Sequence, residues 1–396
     1  MARRRRTSRL SATAVIAGLM LGVVALTGCA TRAVTGSAPA IGRPPPVPLA
    51  AGVSLPGFSW ATVRTGGPSV GGKFWQLLVR DRADGRWRLA TPPGVADNGG
   101  LAVARADDGT ITAGFVPSQL LRFTPLAVTS DSGAHWSQGL LPAALVGDPD
   151  GLAAVPGGRL VAITAESVQE SASGAAGWRP LTSLKALAAT RAGRRCGLAS
   201  LTGAVAESNG TVLVAGGCRR PGTIGLFAAT ASGWQLTGPE LPGAPGLRAV
   251  SIAGLIGTRT GTGVLLAGQT AHGEILIPAW LAAGSRSWAT YVPFGFSVGG
   301  VESVSASAGG VWAVVLSGRR GLVTQPPGHS AGAADVAHPV SLPADNATLM
   351  PGAAPGNLTA LVPGLDTVAV WELTVPGRWH RSQVISVPST PGGQSH

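Results

Sequence analysis

Of the 396 residues one is tyrosine, three are cysteine, and only 12% carry a charge; two of the thirty basic residues are lysine. Three cysteines are too few for a tetrahedral cysteine zinc site or a disulfide scaffold. Sparse charge beside 45% hydrophobic residues excludes a disordered chain, since enough apolar surface is present to offset the entropy of ordering. Helical periodicity is almost absent, which excludes a bundle. The sequence holds no G-x-S-x-G elbow, phosphate-binding loop or dinucleotide fingerprint. Its six histidines are scattered, and His329, Asp335 and His338 share a Gly/Ala-rich stretch without metal-ligand spacing. No catalytic residue is assigned, and no metal or cofactor is expected.

What the chain does have begins at residue 3. Arg3, Arg4, Arg5, Arg6 and Arg9 precede an uncharged stretch from Leu10 to Cys29, the charged and apolar regions of an export signal. The stretch ends in Leu26-Thr27-Gly28-Cys29, which resembles the lipobox of bacterial lipoproteins. That resemblance implies removal of residues 1–28, diacylation of Cys29 and anchoring on the extracytoplasmic face of the cell membrane, for which two acyl chains suffice. The alternative, an uncleaved anchor helix, needs about 20 apolar residues, and Ser11, Thr13 and the small residues make this segment a poor span. Ser8 stands where a twin-arginine signal after Arg5-Arg6 carries an aromatic or leucine, so the general secretory route is expected. Without residues 1–28 the net charge falls from +12 to +7. The remaining basicity is nearly all arginine, as GC-rich genomes such as an actinobacterium's favour, and nucleic-acid binding is not expected.

Residues 29–56 are rich in Pro, Ala and Gly without periodicity and read as a tether. Residues 57–390 alternate short Val/Leu/Ala/Thr runs with turns every 8 to 12 residues, the pattern of an all-β domain. Hairpins are signalled at Asp108-Gly109, Gly157-Gly158 and Asn209-Gly210. Residues 391–396 form a polar C-terminal tail. Tryptophans preceded by a small-residue turn recur at Trp87, Trp136, Trp178, Trp234, Trp288 and Trp379, with a degenerate unit around GVWAVVLSGRRGLVTQPPG filling the widest gap. Seven units of about 48 residues predict a β-propeller of seven four-stranded blades; six or eight blades are the alternatives, and a pair of β-sandwiches fits the tryptophan repeat less well.

One unit is sharper. Thr129-Ser130-Asp131-Ser132-Gly133-Ala134-His135-Trp136 resembles the Asp-box, or BNR repeat, S/T-x-D-x-G-x-x-W. The resemblance implies a turn between the third and fourth strands of a blade, with Asp131 capping amides, Gly133 at positive φ and Trp136 in the core. Asp-box propellers include sialidases, which use a tyrosine nucleophile and an FRIP-like motif. Here the one tyrosine, Tyr291, follows Trp288 closely, as in a strand within a blade, and no FRIP-like run occurs.

Cys196 and Cys218 are expected to form a disulfide in an oxidising compartment. Strict hairpin register around Asn209-Gly210 would set Cys218 opposite Leu201, so the chain before that strand must curl. Arg194, Arg195, Arg219 and Arg220 flank the pair, and together they suit bidentate binding of phosphate, carboxylate or sulfate. Asp107-Asp108 and Asp148 with Asp150 lie in turn contexts, the latter offering too few oxygens for calcium. The expectation is a monomeric, lipid-anchored, non-catalytic binding or assembly scaffold for an envelope protein or acidic polymer. The alternative is a glycan-active hydrolase or lyase with its site in the central funnel.

Overall fold

The computed structural model describes residues 50–387, less 66–73, 82–84, 94–98, 117–120, 147–148, 242–246, 248, 272, 297–299, 318–319, 325–337, 353, 355 and 375–377. Cys29, the tail 391–396, Asp148, His329 and Asp335 lie outside the described residues.

The chain is a succession of antiparallel meanders. Strands β1 (Ala50–Leu55), β2 (Phe58–Thr65), β3 (Phe74–Arg80) and β4 (Arg88–Leu89) are followed by β5 (Gly100–Arg105), β6 (Ile111–Val116), β7 (Thr124–Thr129) and β8 (Ser137–Leu141). Next come β9 (Leu152–Val155), β10 (Arg159–Ile163), β11 (Ser167–Glu170) and β12 (Arg179–Ser183). After the helices α1 (Leu184–Ala189) and α2 (Arg191–Cys196) come β13 (Leu198–Ala206), β14 (Val212–Cys218), β15 (Leu226–Thr230) and β16 (Gly233–Thr237). The remainder is β17 (Ala249–Thr258), β18 (Gly261–Thr270), β19 (Gly273–Ala282), β20 (Ala289–Thr290), β21 (Phe294–Phe296), β22 (Val301–Ser307), β23 (Trp312–Leu316), β24 (Arg320–Thr324), β25 (His338–Ser341), β26 (Thr348–Pro351), β27 (Leu358–Pro363), β28 (Thr367–Leu373) and β29 (His380–Ser386). Neither helix is long or apolar enough to cross a membrane.

Among the described residues five sheets stand alone: β5–β8, β9–β12, β13–β16, β17–β20 with β21 beside β19, and β26–β29. The other two meanders, β1–β4 and β22–β25, are fused into one eight-stranded sheet by parallel pairing of β1 with β22, from Ala50↔Ser303 to Ser54↔Ser307. The expected separate blades are therefore five here, with the two remaining meanders joined. The cause lies at the centre of the ring, where β1 and β22 approach closely enough to share main-chain hydrogen bonds. A Cβ on Gly52 of β1 would lie 2.8 Å from Met350 Cε and 2.9 Å from Ser305 Oγ. Residues 50–55, assigned to the tether by composition, are thus the first strand of the ring; the small side chains that look like a linker are what an innermost strand needs.

Second strands such as β10 and β23 are buried on both faces because each sheet is stacked between two others. The repeating tryptophans mark these interfaces. Trp87, Trp136, Trp178, Trp288 and Trp379 immediately precede the outer strands β4, β8, β12, β20 and β29, and Trp234 lies in β16. Each packs into the apolar cluster between its own sheet and the preceding one. Only Trp87 is fully buried; Trp136, expected in the core, is half-buried at the rim of its cluster. Trp312 of the degenerate unit is different, a buried residue of the second strand β23.

The first turns of the β5, β17 and β22 meanders meet one another: Arg259 reaches Asp107, and Thr260 Oγ1 donates to Ala308 O. Ala308 N in turn donates to Ser54 O at the end of β1. The inner strands therefore run the same way along the axis. First-to-second and third-to-fourth turns lie at one end of the ring, the turn end. Second-to-third connections and the links between sheets lie at the other, where β1 begins. At the seam between first and last meanders, Gln383 of β29 accepts a hydrogen bond from Trp87 N (3.0 Å) and donates one to Trp87 O.

Candidate functional site

The arginine cluster is built on the link from β12 to β13. The Ser183 hydroxyl caps α1 by accepting from Ala186 N at 3.0 Å, and Thr190 ends α1 and starts α2, accepting from Gly193 N at 2.9 Å. The turn between them is tight: a Cβ on Gly193 would fall 2.1 Å from Leu187 O. Leu187, fully buried, fixes the pair to the core, and Gly197 at φ 66 ends α2 in the left-handed conformation. Cys196 is thereby delivered, buried, to Cys218 at the end of β14, and the two form a disulfide with Cα atoms 5.0 Å apart.

The register differs from strict hairpin counting. Bulges between Leu198 and Ser200 and between Leu201 and Gly203 set Leu198, not Leu201, opposite Cys218. Arg219 N then donates to Gly197 O and Arg220 N to Cys196 O, each at 3.1 Å. All four arginines are exposed, at the end of the ring where β1 begins. Arg194 also donates to Ala189 O, and with Arg195 it opposes the carbonyl end of α2. Lys185 and Arg191, likewise exposed, extend the same basic surface.

The second candidate is the axial cavity, of about 110 Å³. Its walls are inner-strand Ala, Gly, Val, Leu and Ile, with Trp60 and Trp312; its charged lining residues are Arg105 and Asp150. Asp150 ties inner strands together: its Oδ2 accepts from Leu255 N of β17 at 2.9 Å and its main-chain oxygen from Ala204 N of β13 at 2.8 Å. Arg105 stacks on Phe58 at 4.5 Å, and its Nε has no partner among the described residues. Desolvation, reinforced by Arg259, lowers its pKa. Above it Arg259 Nε contacts Asp107 Oδ1 at 3.0 Å. Sequence marked Asp107 and Asp150 only as turn residues and did not mark Arg105 or Arg259. They come from different sheets, so no local spacing announces them.

The Thr129–Trp136 segment forms the turn from β7 to β8, at the turn end. Asp131 Oδ1 accepts from His135 N (2.9 Å) and the Thr129 hydroxyl (2.7 Å), while Asp131 Oδ2 meets His135 Nδ1 at 2.7 Å. Thr129 Oγ1 accepts from Gly133 N at 2.9 Å. Hydrogen bonds from the His135 amide and the Thr129 hydroxyl hold the Asp131 carboxyl well below the usual carboxylate range. Ser132 and Gly133 take φ of 59 and 91. Tyr291 is buried, and its hydroxyl donates to Gly310 O at 2.7 Å, away from the axial cavity. Among the described residues no group of three or more His, Cys, Asp or Glu is placed to hold a metal ion.

Comparison with solved structures identifies the architecture. A periplasmic gluconolactonase of Pseudomonas aeruginosa is similar over 84% of this chain and 97% of its own, at 13% identity and a TM-score of 0.51. A Lactobacillus plantarum protein is similar over the same shares, at 10% identity and a TM-score of 0.50. The fold is a β-propeller. A lectin of Aleuria aurantia, solved with α-methyl-L-fucoside, aligns over 87% of this chain and 96% of its own, at 15% identity and a TM-score of 0.39. No family model matches the sequence, and no curated protein does.

Proposed function

We propose that this propeller is a lipid-anchored, monomeric binding scaffold of the bacterial cell envelope. It is exported by the signal of residues 1–28, held on the extracytoplasmic face through Cys29, and recognises an anionic partner through Arg194, Arg195, Arg219 and Arg220. The observation that carries the reading is the arginine cluster itself: four exposed guanidiniums held on one surface by a disulfide and by main-chain hydrogen bonds to Cys196 and Gly197. Guanidiniums whose main-chain positions are fixed side by side suit bidentate binding of phosphate, carboxylate or sulfate. The funnel supports a glycan-active hydrolase less well, because the carboxylate of Asp150, the acidic residue of its lining, already accepts from Leu255 N.

In this reading the ring counts as seven blades, the eight-stranded sheet being two blades joined at the axis. The single apolar cluster between each pair of adjacent meanders supports that count. Thr129, Asp131, Gly133 and Trp136 are its Asp-box, a structural turn. Replacing all four arginines by serine should abolish retention on purified acidic envelope polymer, while a chain carrying Arg259→Ser is retained as before. Unchanged retention of the fourfold variant would sink the reading. Mass spectrometry of the membrane-extracted protein should find acyl chains on residue 29.

A further inference from the structure

The two ends of the propeller differ in what they expose, and the end where β1 begins carries more than arginine. Leu121 and Phe123, 41% and 42% exposed, flank Arg122 in the connection from β6 to β7, and Leu365, 69% exposed, lies in the turn from β27 to β28. Both are second-to-third connections and open at that end. The same end holds Lys185, Arg191, Arg194, Arg195, Arg219 and Arg220, all exposed, and also the exposed acids Glu166, Glu240, Asp345 and Asp366, so that the basic excess lies in the patch around α1, α2 and the end of β14. Among the described residues no exposed large apolar side chain lies on a first-to-second or third-to-fourth turn.

We infer that this end is a membrane-docking face, seated on a bilayer of anionic phospholipid. The inference rests on the proposed anchoring at Cys29 and names the anion of the arginine cluster as lipid phosphate. Chain length supplies the argument for this occupant. The polypeptide joins the ring at Ala50, at this same end. Twenty residues lie between Cys29 and Ala50, a span of at most roughly 70 Å when fully extended. The end bearing the arginine cluster is therefore the one a lipid on Cys29 holds nearest the headgroups, where each arginine of the cluster gains from the negative surface potential. Protruding leucine and phenylalanine among basic residues is the combination that seats a protein at the boundary of headgroup and acyl chain. The disulfide matters here because it makes one rigid patch from the α2 arginines and those after β14.

The test uses the mature chain from residue 29 with Cys29→Ser, so that any binding belongs to the domain and not to the lipid. It should sediment with vesicles of phosphatidylglycerol and phosphatidylcholine at low salt and not with phosphatidylcholine alone. The fourfold Arg194, Arg195, Arg219, Arg220→Ser variant should lose about a thousandfold in partitioning. Leu121→Ser with Phe123→Ser should lose several-fold, and Arg259→Ser at the turn end nothing. Near-ultraviolet circular dichroism confirms that each variant is folded. Equal binding to neutral vesicles, or a fourfold variant that partitions as the parent does, overturns the docking face. Retention on a soluble acidic polymer without vesicle binding also overturns it and leaves the proposed function standing. Failure of both assays removes the two together.

Discussion

The two ends of this propeller are made by different physics. At the turn end the first-to-second hairpins reverse the chain in few residues, and several turns satisfy their own polar groups. Asp108 Oδ1 accepts from Thr110 N, Asn209 Oδ1 from Thr211 N, and Asp131 from His135 N, while Arg259 is spent on Asp107 across the axis. At the other end the links are longer, one contains two helices, and the charges of one helix pair are left facing solvent. A turn whose side chains are committed to its own backbone has little to offer a partner. Longer connections on a rigid ring are free to carry recognition.

That contrast can be broken by experiment. The largest effect is expected from the disulfide, which closes a loop with a sequence separation of 22: Cys196→Ser with Cys218→Ser should destabilise the fold by about 3 kcal/mol. Denaturant melts measure this, and proteolysis should then cut first near α2. Gly193→Ala places a methyl against Leu187 O and should cost about 2 kcal/mol, again with the arginine end loosened and the turn end intact by hydrogen exchange. At the turn end Asp131→Asn should lower the melting temperature by less than either. Because folding depresses the Asp131 pKa, its contribution is complete above the ordinary aspartate value and is lost as pH falls through the folded value. The parent should therefore lose more stability than the Asn variant when melted in acid. Equal slopes would mean that the carboxylate does not hold the turn. The smallest effect, under about 1 kcal/mol, is expected from Arg259→Ala, since the Arg259–Asp107 pair is exposed and solvent screens it.

The sequence made local features readable and hid those formed by approach. Turns at Gly109, Gly157, Gly158 and Gly210 were legible because positive φ is a property of one residue and its neighbours. The tryptophan beat was legible because each meander fills the same interface with the same kind of side chain. The cysteine pair was legible as a pair, but not its register, since the two bulges of β13 answer to packing and not to a sequence signal. Fusion of β1 with β22 was hidden for a further reason: parallel partners share no turn, and AAGVSL has a linker's composition. Arg105, Asp150 and Arg259 acquire their relation only once separate sheets close around the axis.

The β1–β22 seam also sets an order of events. β1 is the first strand of the ring to leave the ribosome, whereas β22 arrives when most of the ring has been made, and the Gln383–Trp87 contact that seals the neighbouring gap arrives later still. Until then an apolar strand has one unpaired edge, the condition under which chains add to one another instead of closing on themselves. Contacts this distant in sequence are slow to form. A chain of this design depends on being kept apart from its copies during synthesis, and truncations that remove β22 should aggregate even though the earlier sheets are complete.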